Sequence, residues 1–175
     1  MAKILKNIVL VGFMGSGKST IAHLLAKKLG RPVLSTDEMI VLTEKRPITD
    51  IFRDSGEDYF RQVEKRAVRE VAQRTGCIID CGGGVVLDPE NISCLKSTGF
   101  LFYLKATPQA IFQRVKAHSH RPLLNTENPQ TKIEELLTKR SPFYTQADFQ
   151  IDTTEKKPQM ISQEIIRVIE AKGEA

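Results

Sequence analysis

Tryptophan is absent from this 175-residue sequence, cysteine occurs only three times, and no apolar run is long enough to cross a membrane. Cys77, Cys81 and Cys94 lack the paired spacing of a metal site and, being odd in number, cannot all pair with one another. We therefore expect reduced thiols in a cytoplasmic protein. Residues 1–6 are too short a segment for a signal peptide, which agrees with that location.

The sequence also lacks internal repeats, low-complexity segments and any basic run interleaved with aromatic residues. Its 26 basic and 21 acidic side chains are interspersed, and the net charge of +5 indicates anionic partners without identifying them. We expect no nucleic-acid partner and no membrane partner. At this length and without a linker, residues 1–175 are expected to form a single domain, and we expect a monomer.

Short apolar segments alternate with helical patterns along the chain. This alternation is typical of α/β proteins and predicts a central five-stranded parallel sheet between two layers of helices. Gly56 is expected to end a short helix that begins near Pro47, before a long helix over 57–75. The strands are expected at 8–11, 33–36, 77–81, 100–104 and 149–151.

The helical pattern fails over 118–130, which holds two His, two Pro and two Asn residues. An irregular segment of this length in a compact domain favours a mobile lid. His118 and His120 suggest a metal pair, but no third ligand is near in sequence, so we interpret them as solvated lid residues.

A glycine-rich turn follows the first predicted strand. Residues 12–19 fit the pattern G-x-x-x-x-G-K-[ST], in which backbone N–H groups surround phosphate oxygens at the start of a helix; a turn that binds nothing is the alternative. Lys18 is expected to reach the β- and γ-phosphates, and the Ser19 hydroxyl is expected to bind Mg²⁺. The nucleotide contacts are predicted to come from Gly15, Ser16, Gly17, Lys18, Ser19 and Thr20.

Charged residues near this turn indicate an acceptor site. Asp37 follows the second strand, where it would take up the proton of a substrate hydroxyl or orient that hydroxyl; alternatively it caps a helix that begins at Glu38. Arg61 and Glu64 lie one helical turn apart. Glu64 therefore either forms a local ion pair or orients Arg61 towards an anionic substrate group.

Three further features each have a functional and a plain interpretation. Residues 82–84 are three glycines, which permit close approach of a substrate or form a tight turn. Arg121 lies in the irregular segment, where it would neutralise a transferred phosphoryl group or serve only as a loop arginine. Arg140 near a helix end is a second anion-binding arginine or a solvated residue.

Together these motifs resemble those of shikimate kinases, in the same order and over nearly the whole chain. The resemblance implies a P-loop kinase fold with a mobile lid, in which ATP phosphorylates the 3-hydroxyl of shikimate during aromatic amino acid biosynthesis, with Mg²⁺ as cofactor. The matching segments are G-x-M-G at 12–15, F-R-x-x-E at 60–64, G-G-G at 82–84, R-P-L-L at 121–124 and R-x-P-x-Y at 140–144.

The resemblance also implies roles for single residues. Arg61 and Arg140 would hold the shikimate carboxylate, and Asp37 would contact the ring hydroxyls. The substrate pocket would be lined by Gly82, Gly83 and Gly84. The catalytic group would comprise Lys18, Asp37 and Arg121, with Arg121 reaching the nucleotide phosphates. The adenine would lie between Arg114 and Lys156, where the family usually has an arginine instead of the lysine, so stacking should be less planar.

One departure from the family concerns the metal. Shikimate kinases usually have an aspartate that holds a Mg²⁺-bound water at the position of Ser35. Asp80 stands at the end of the third strand, where the family usually has a small residue. We hypothesise that Asp80 supplies the missing carboxylate near the metal; the alternative is a strand-end aspartate that bonds only the loop backbone.

Two other function classes fit the phosphate-binding turn. A small kinase for gluconate or a nucleotide shares the turn, but Arg61, Arg140 and the glycines favour a small carboxylate. A nucleotide-dependent switch without turnover is the other class, and a GTPase switch would carry an Asn-Lys-x-Asp motif, which this sequence lacks. The sequence therefore favours a shikimate kinase.

Overall fold

The strands of the fold are β1 Asn7–Val11, β2 Val33–Ser35, β3 Ile78–Asp80, β4 Gly99–Lys105 and β5 Phe149–Asp152. The structure, a computed structural model, describes residues 5–116 and 127–173. All strand pairs are parallel, and the spatial order is β2-β3-β1-β4-β5. The predicted five-stranded parallel sheet is thus confirmed, with β1 at its centre.

Helices connect the strands. Within the described residues, no helix combines the length and apolar character needed to cross a membrane. A short 3₁₀ turn, Val85–Leu87, follows β3. The helices are α1 Lys18–Leu29, α2 Thr36–Glu44, α3 Ile48–Ala72, α4 Pro89–Thr98, α5 Pro108–Val115, α6 Pro129–Tyr144 and α7 Pro158–Ala171.

The central strand β1 is buried on both faces, which explains its unbroken apolar sequence. Successive side chains of a strand point to opposite faces of the sheet. Ile8 and Leu10 accordingly pack with residues of α1 and α7. Val9 and Val11 pack with residues of α3, α4, α5 and α6. The result is the three-layer α/β/α arrangement.

The second strand is one residue shorter than predicted because Ser35 caps the next helix, which begins at Thr36. The Ser35 hydroxyl oxygen accepts a hydrogen bond from the Glu38 backbone N–H at 3.2 Å, and Thr36 is the first residue of α2. The alternative interpretation of Asp37 as the cap of a helix starting at Glu38 is therefore wrong. Asp37 lies in the first turn of α2 instead.

Helix α3 contains a backbone break at Gly56, where φ is 81° and ψ is 174°. The two helical segments predicted on either side of this glycine are present, joined as one bent helix. An apolar cluster spans this break: it joins Ile40 of α2 and Ile51, ahead of Gly56, to Phe60 beyond it. Both segments of α3 thus pack against α2.

The irregular segment predicted over 118–130 ends earlier than expected. Asn128 accepts a hydrogen bond from the backbone N–H of Thr131, and α6 begins at Pro129. An asparagine cap followed by proline is a favourable helix start, and it explains the earlier boundary. The rest of the predicted lid, with His118, His120 and Arg121, falls in 117–126, outside the described residues.

The backbone at Gly56 generates a stability prediction. A methyl group added there would meet no atom within 4 Å, so Gly56→Ala should act through backbone strain alone. We expect the free energy of unfolding to fall by about 1–3 kcal/mol, because this φ/ψ region is essentially restricted to glycine. Urea denaturation measures the change. The control Asp58→Ala, at an exposed position of the same helix, should change it by less than about 0.5 kcal/mol; equal effects of both variants would contradict the strain argument.

Candidate functional site

The carboxyl ends of β1, β2 and β3 lie side by side at one edge of the sheet. Leu10 and Ser35 both pair with Asp80, one from each neighbouring strand. A cavity of about 620 Å³ opens beyond these ends. All six predicted nucleotide-contact residues from Gly15 to Thr20 line it, together with Ser35, Asp37, Asp80, Gly82, Gly83, Arg114 and Lys156.

The glycine-rich loop is shaped to bind an anion. Gly15 and Gly17 have φ values of 76° and 95°, a left-handed conformation that bends the loop around its own backbone. Helix α1 starts directly after it without a capping side chain and without an acidic residue in its first turn. The N–H groups of its first turn and its positive dipole end therefore favour phosphate. Lys18 Nζ lies over the loop, donating to the carbonyls of Gly12 at 2.8 Å and Phe13 at 3.0 Å.

Ser19 meets a carboxylate across the cavity floor. Its Oγ donates a hydrogen bond to Asp80 Oδ2 at 2.6 Å. Parallel pairing of β1 with β3 explains the contact, because it places the end of β3 beside the loop that follows β1. Among the residues that the structure describes, no group of three or more His, Cys, Asp or Glu side chains forms a metal site. Oxygen ligands of the kind found here suit Mg²⁺, which is often bound by few protein groups together with substrate phosphates.

Arg114 and Lys156 line the far end of the cavity. The guanidinium of Arg114 donates to the carbonyl of Gly15 at 3.3 Å and to the carbonyl of Thr154 at 3.1 Å. It also donates to Thr153, which links it to the loop after β5. Hydrogen bonds lie in the plane of a guanidinium, so its flat face is left for stacking. Lys156 Nζ donates to Glu164 at 2.6 Å, which directs this lysine towards α7.

Each of the three consecutive glycines lies against another group. The N–H of Gly82 donates to Thr36 Oγ1 at 2.9 Å, and the carbonyl of Gly83 accepts from Tyr144 Oη at 2.5 Å. A methyl group at Gly82 would lie 2.5 Å from Asp37 Oδ1. At Gly84 it would overlap the guanidinium of Arg61. Close approach of a charged side chain therefore requires glycine at 82 and at 84, and a 3₁₀ turn follows them.

The charged groups around the glycines are Asp37, Arg61, Glu64 and Arg140. Arg61 Nη1 donates to Glu64 Oε2 at 2.7 Å, and the same guanidinium bonds the exposed Glu57 at 3.0 Å. Burial raises the pKa of Glu64; the Arg61 charge opposes this rise, and the nearby Asp37 charge adds to it. The guanidinium of Arg140 lies 5.6 Å from the ring centre of Phe13. The cluster thus presents two arginines, and Arg61 is tightly paired with the buried carboxylate of Glu64.

Two neutral groups support this cluster. The ring of Tyr144 stacks on Tyr103 at a centroid distance of 4.9 Å, and burial raises the pKa of Tyr144 to about 12, so its hydroxyl stays a donor to Gly83. Burial likewise raises the pKa of the Cys81 thiol well above its usual value, which suits a small, unreactive strand residue. Neither group requires a chemical role.

Most of the predicted site residues are brought together, with Arg121 outside the described part of the chain. Sequence reasoning overlooked two buried threonines. Thr36 accepts from Gly82, and Thr153 donates to the carbonyl of Lys105 at 3.0 Å while contacting Arg114. Their position directly after a strand could have indicated this role. Threonine is common near strand ends for packing reasons alone, however, so the position does not identify it.

Comparisons with known proteins point to one family. The shikimate kinase family model matches residues 14–170. A shikimate kinase of Thermodesulfovibrio yellowstonii is 43% identical over 166 residues, which cover 95% of this chain and 96% of that protein. A shikimate kinase of Caldicellulosiruptor saccharolyticus is 42% identical over 168 residues, with coverage of 96% and 98%.

Solved structures agree. The shikimate kinase of Acinetobacter baumannii in complex with shikimate superposes with a TM-score of 0.90 at 35% identity, covering 96% of this chain and 94% of that one. A gluconokinase of Sinorhizobium meliloti superposes with a TM-score of 0.59 at 15% identity, covering 97% of each chain. At that identity the likeness shows the fold alone.

The buried carboxylate of Glu64 generates a pH prediction. Because its pKa is raised in the folded protein, its contribution to stability is present below the unfolded-state pKa of about 4.3 and is lost as the pH rises through the folded-state value. The free energy of unfolding of the wild type minus that of Glu64→Gln should therefore fall as the pH rises from about 4 towards neutrality. Urea denaturation over this range measures the difference.

The control is Glu57→Gln, which removes the exposed partner of the same arginine and should change the free energy of unfolding by less than about 1 kcal/mol. A wild-type minus Glu64→Gln difference that does not vary with pH would contradict the assignment.

Proposed function

This chain belongs to the shikimate kinase family, and on that basis we propose that it transfers the γ-phosphoryl group of ATP to the 3-hydroxyl of shikimate. The products are shikimate 3-phosphate and ADP, and the reaction belongs to aromatic amino acid biosynthesis through chorismate. The observation that carries this proposal is the position of the glycines 82–84, which lie between the phosphate loop and the arginine cluster. A phosphoryl donor and a small carboxylate acceptor would therefore meet at this backbone.

The donor half of the site binds ATP. The loop N–H groups at 15–20 and the ammonium of Lys18 would hold the phosphates, with the α1 N-terminus adding its dipole. Arg114, oriented by its bonds to Gly15 and Thr154, supplies a flat face for the adenine. Lys156 would cover the other side of the adenine, where its link to Glu164 limits its reach.

The acceptor half binds the carboxylate and orients the hydroxyl. Arg61 is oriented by Glu64 and lies beside Gly84, and Arg140 lies next to Gly83. Two guanidinium groups converging on one anion provide strong, directional recognition of a carboxylate. Asp37, next to Gly82, orients the 3-hydroxyl and takes up its proton as the oxygen attacks the γ-phosphorus and ADP leaves.

Ser19 is the residue of the site that would bind Mg²⁺. The hydroxyl of Ser19, fixed by a carboxylate and placed next to Lys18, fits Mg²⁺ as an oxygen ligand. Mg²⁺ bound there would neutralise charge on the β- and γ-phosphates. Lys18 provides a second positive charge on the same phosphates.

Arg121 completes the proposed catalytic group. Its segment lies outside the described residues, and its role follows from the R-P-L-L motif of the family. As a lid arginine it would contact the phosphates and stabilise charge that grows during transfer. We also propose that the chain acts as a single-domain monomer in the cytoplasm, without nucleic-acid or membrane partners.

The arginine cluster yields a direct test. Arg61→Lys keeps the positive charge but loses the planar pair of donors, so affinity for shikimate should fall by about 10- to 100-fold while ATP affinity stays nearly unchanged. Calorimetric titration with each ligand measures both constants. The matched control is Arg69→Lys, an exposed arginine two turns along the same helix, which should leave both constants unchanged.

The proposed reaction itself is tested by coupled detection of ADP release. ADP should appear rapidly with shikimate and slowly with gluconate, a nucleoside monophosphate or no acceptor. Turnover with gluconate or a nucleoside monophosphate but none with shikimate would show that the proposed acceptor is wrong.

A further inference from the structure

Asp80 is a buried carboxylate at the end of β3, directly beneath the phosphate loop. It is 9% exposed, lines the cavity and accepts the hydrogen bond of Ser19 Oγ at 2.6 Å. Burying a carboxylate is costly unless donors or a cation compensate its charge. One neutral hydroxyl compensates only part of it, because an ionised carboxylate has two oxygens with several acceptor positions.

The direction of the hydrogen bond has a consequence for Ser19. A hydroxyl binds a metal ion through an oxygen lone pair, so its hydrogen must be given to another acceptor. Asp80, when ionised, is an acceptor only and takes this hydrogen. It therefore leaves the lone pairs of Ser19 for the metal and brings a negative charge to the same place. Asp80→Asn would keep the shape of the side chain but remove its charge.

The neighbouring strand β2 has a serine, not a carboxylate, at the position that pairs with Asp80. Ser35 and Asp80 are partners in the parallel ladder of β2 and β3, so their backbones lie about one strand spacing, ~4.8 Å, apart. Ser35 has no charge, and its oxygen is occupied by the cap of α2. Of the two residues of this pair, Asp80 is therefore the one that offers a carboxylate to the phosphate loop.

We propose that Asp80 is the outer-sphere carboxylate of the Mg²⁺ site in this chain. It accepts the hydrogen of Ser19 with one oxygen, and its other oxygen would accept a hydrogen bond from water on a bound Mg²⁺. Asp80 is a positioning residue, since it acts through Ser19 and water. This inference rests on the proposed ATP-dependent function, although it concerns nucleotide and metal binding only.

The test is the gain in ADP affinity that Mg²⁺ provides, measured by calorimetry in excess Mg²⁺ and again in excess EDTA. In Asp80→Asn this gain should fall by about 10- to 100-fold, the usual effect of losing an outer-shell partner. The affinity in EDTA should stay equal or rise, because a negative charge near the phosphates has been removed. Titration of bound Mn²⁺ by electron paramagnetic resonance in the presence of ADP should show the same weakening.

Two further variants distinguish a metal role from a structural one. Ser35→Asp in the Asp80→Asn background should recover part of the Mg²⁺ gain, and it should preserve α2 because aspartate is also a good helix cap. Glu38→Gln is the matched control: it removes an exposed carboxylate from the same cavity without touching Ser19, and should leave the gain unchanged. If Asp80→Asn impairs folding, Asp80→Ser is measured in its place.

The inference is overturned if Asp80→Asn keeps the wild-type Mg²⁺ gain. It is also overturned if ADP affinity falls equally in Mg²⁺ and EDTA and Ser35→Asp restores nothing, since that pattern means Asp80 only shapes the loop. Because no acceptor is present in these titrations, failure of shikimate to stimulate ADP release would refute the proposed function and leave this result standing.

Discussion

The arrangement of the site depends on how closely the backbone at 82–84 approaches its neighbours. A side chain at Gly82 would displace Asp37 and one at Gly84 would displace Arg61, while the carbonyl of Gly83 is held by Tyr144. The parallel sheet makes this approach possible, because β3 ends between the phosphate loop and the start of α2. Donor and acceptor halves of the site are thereby joined through a few backbone atoms, which is the proximity that phosphoryl transfer requires.

Buried charge is the second constraint. Glu64 is almost inaccessible, and the ion pair with Arg61 within the same helix offsets part of its desolvation. A buried pair of this kind contributes little to stability, but it fixes the orientation of the guanidinium before any ligand arrives. Ser19 is likewise oriented by its hydrogen bond to Asp80. Arg114 is oriented by its hydrogen bonds to the carbonyls of Gly15 and Thr154. Preorganisation of charged groups is therefore the common feature of both halves.

Much of this could be predicted from the sequence because the signals were local. The residues of β1 alternate between two helix layers, the phosphate loop has a defined spacing, and Gly56 marks the bend in α3. The start of α2 was misjudged because Ser35, Thr36 and Asp37 are all acceptable caps, and only the ladder with β3 decides among them. Contacts between distant residues, such as Tyr144 with Gly83 or Thr153 with Arg114, depend on how helices cross the sheet and have no sequence signature.

Two arginines at the glycine backbone, Arg61 and Arg140, select a carboxylate acceptor in this proposal. The most direct test compares shikimate with its primary carboxamide in a coupled assay of ADP release. The carboxamide has nearly the same shape but no charge. The account predicts that kcat/KM falls by about 100-fold or more for the carboxamide, since two charged hydrogen-bonding partners would lose their anion. Similar kcat/KM values for the two compounds would contradict it.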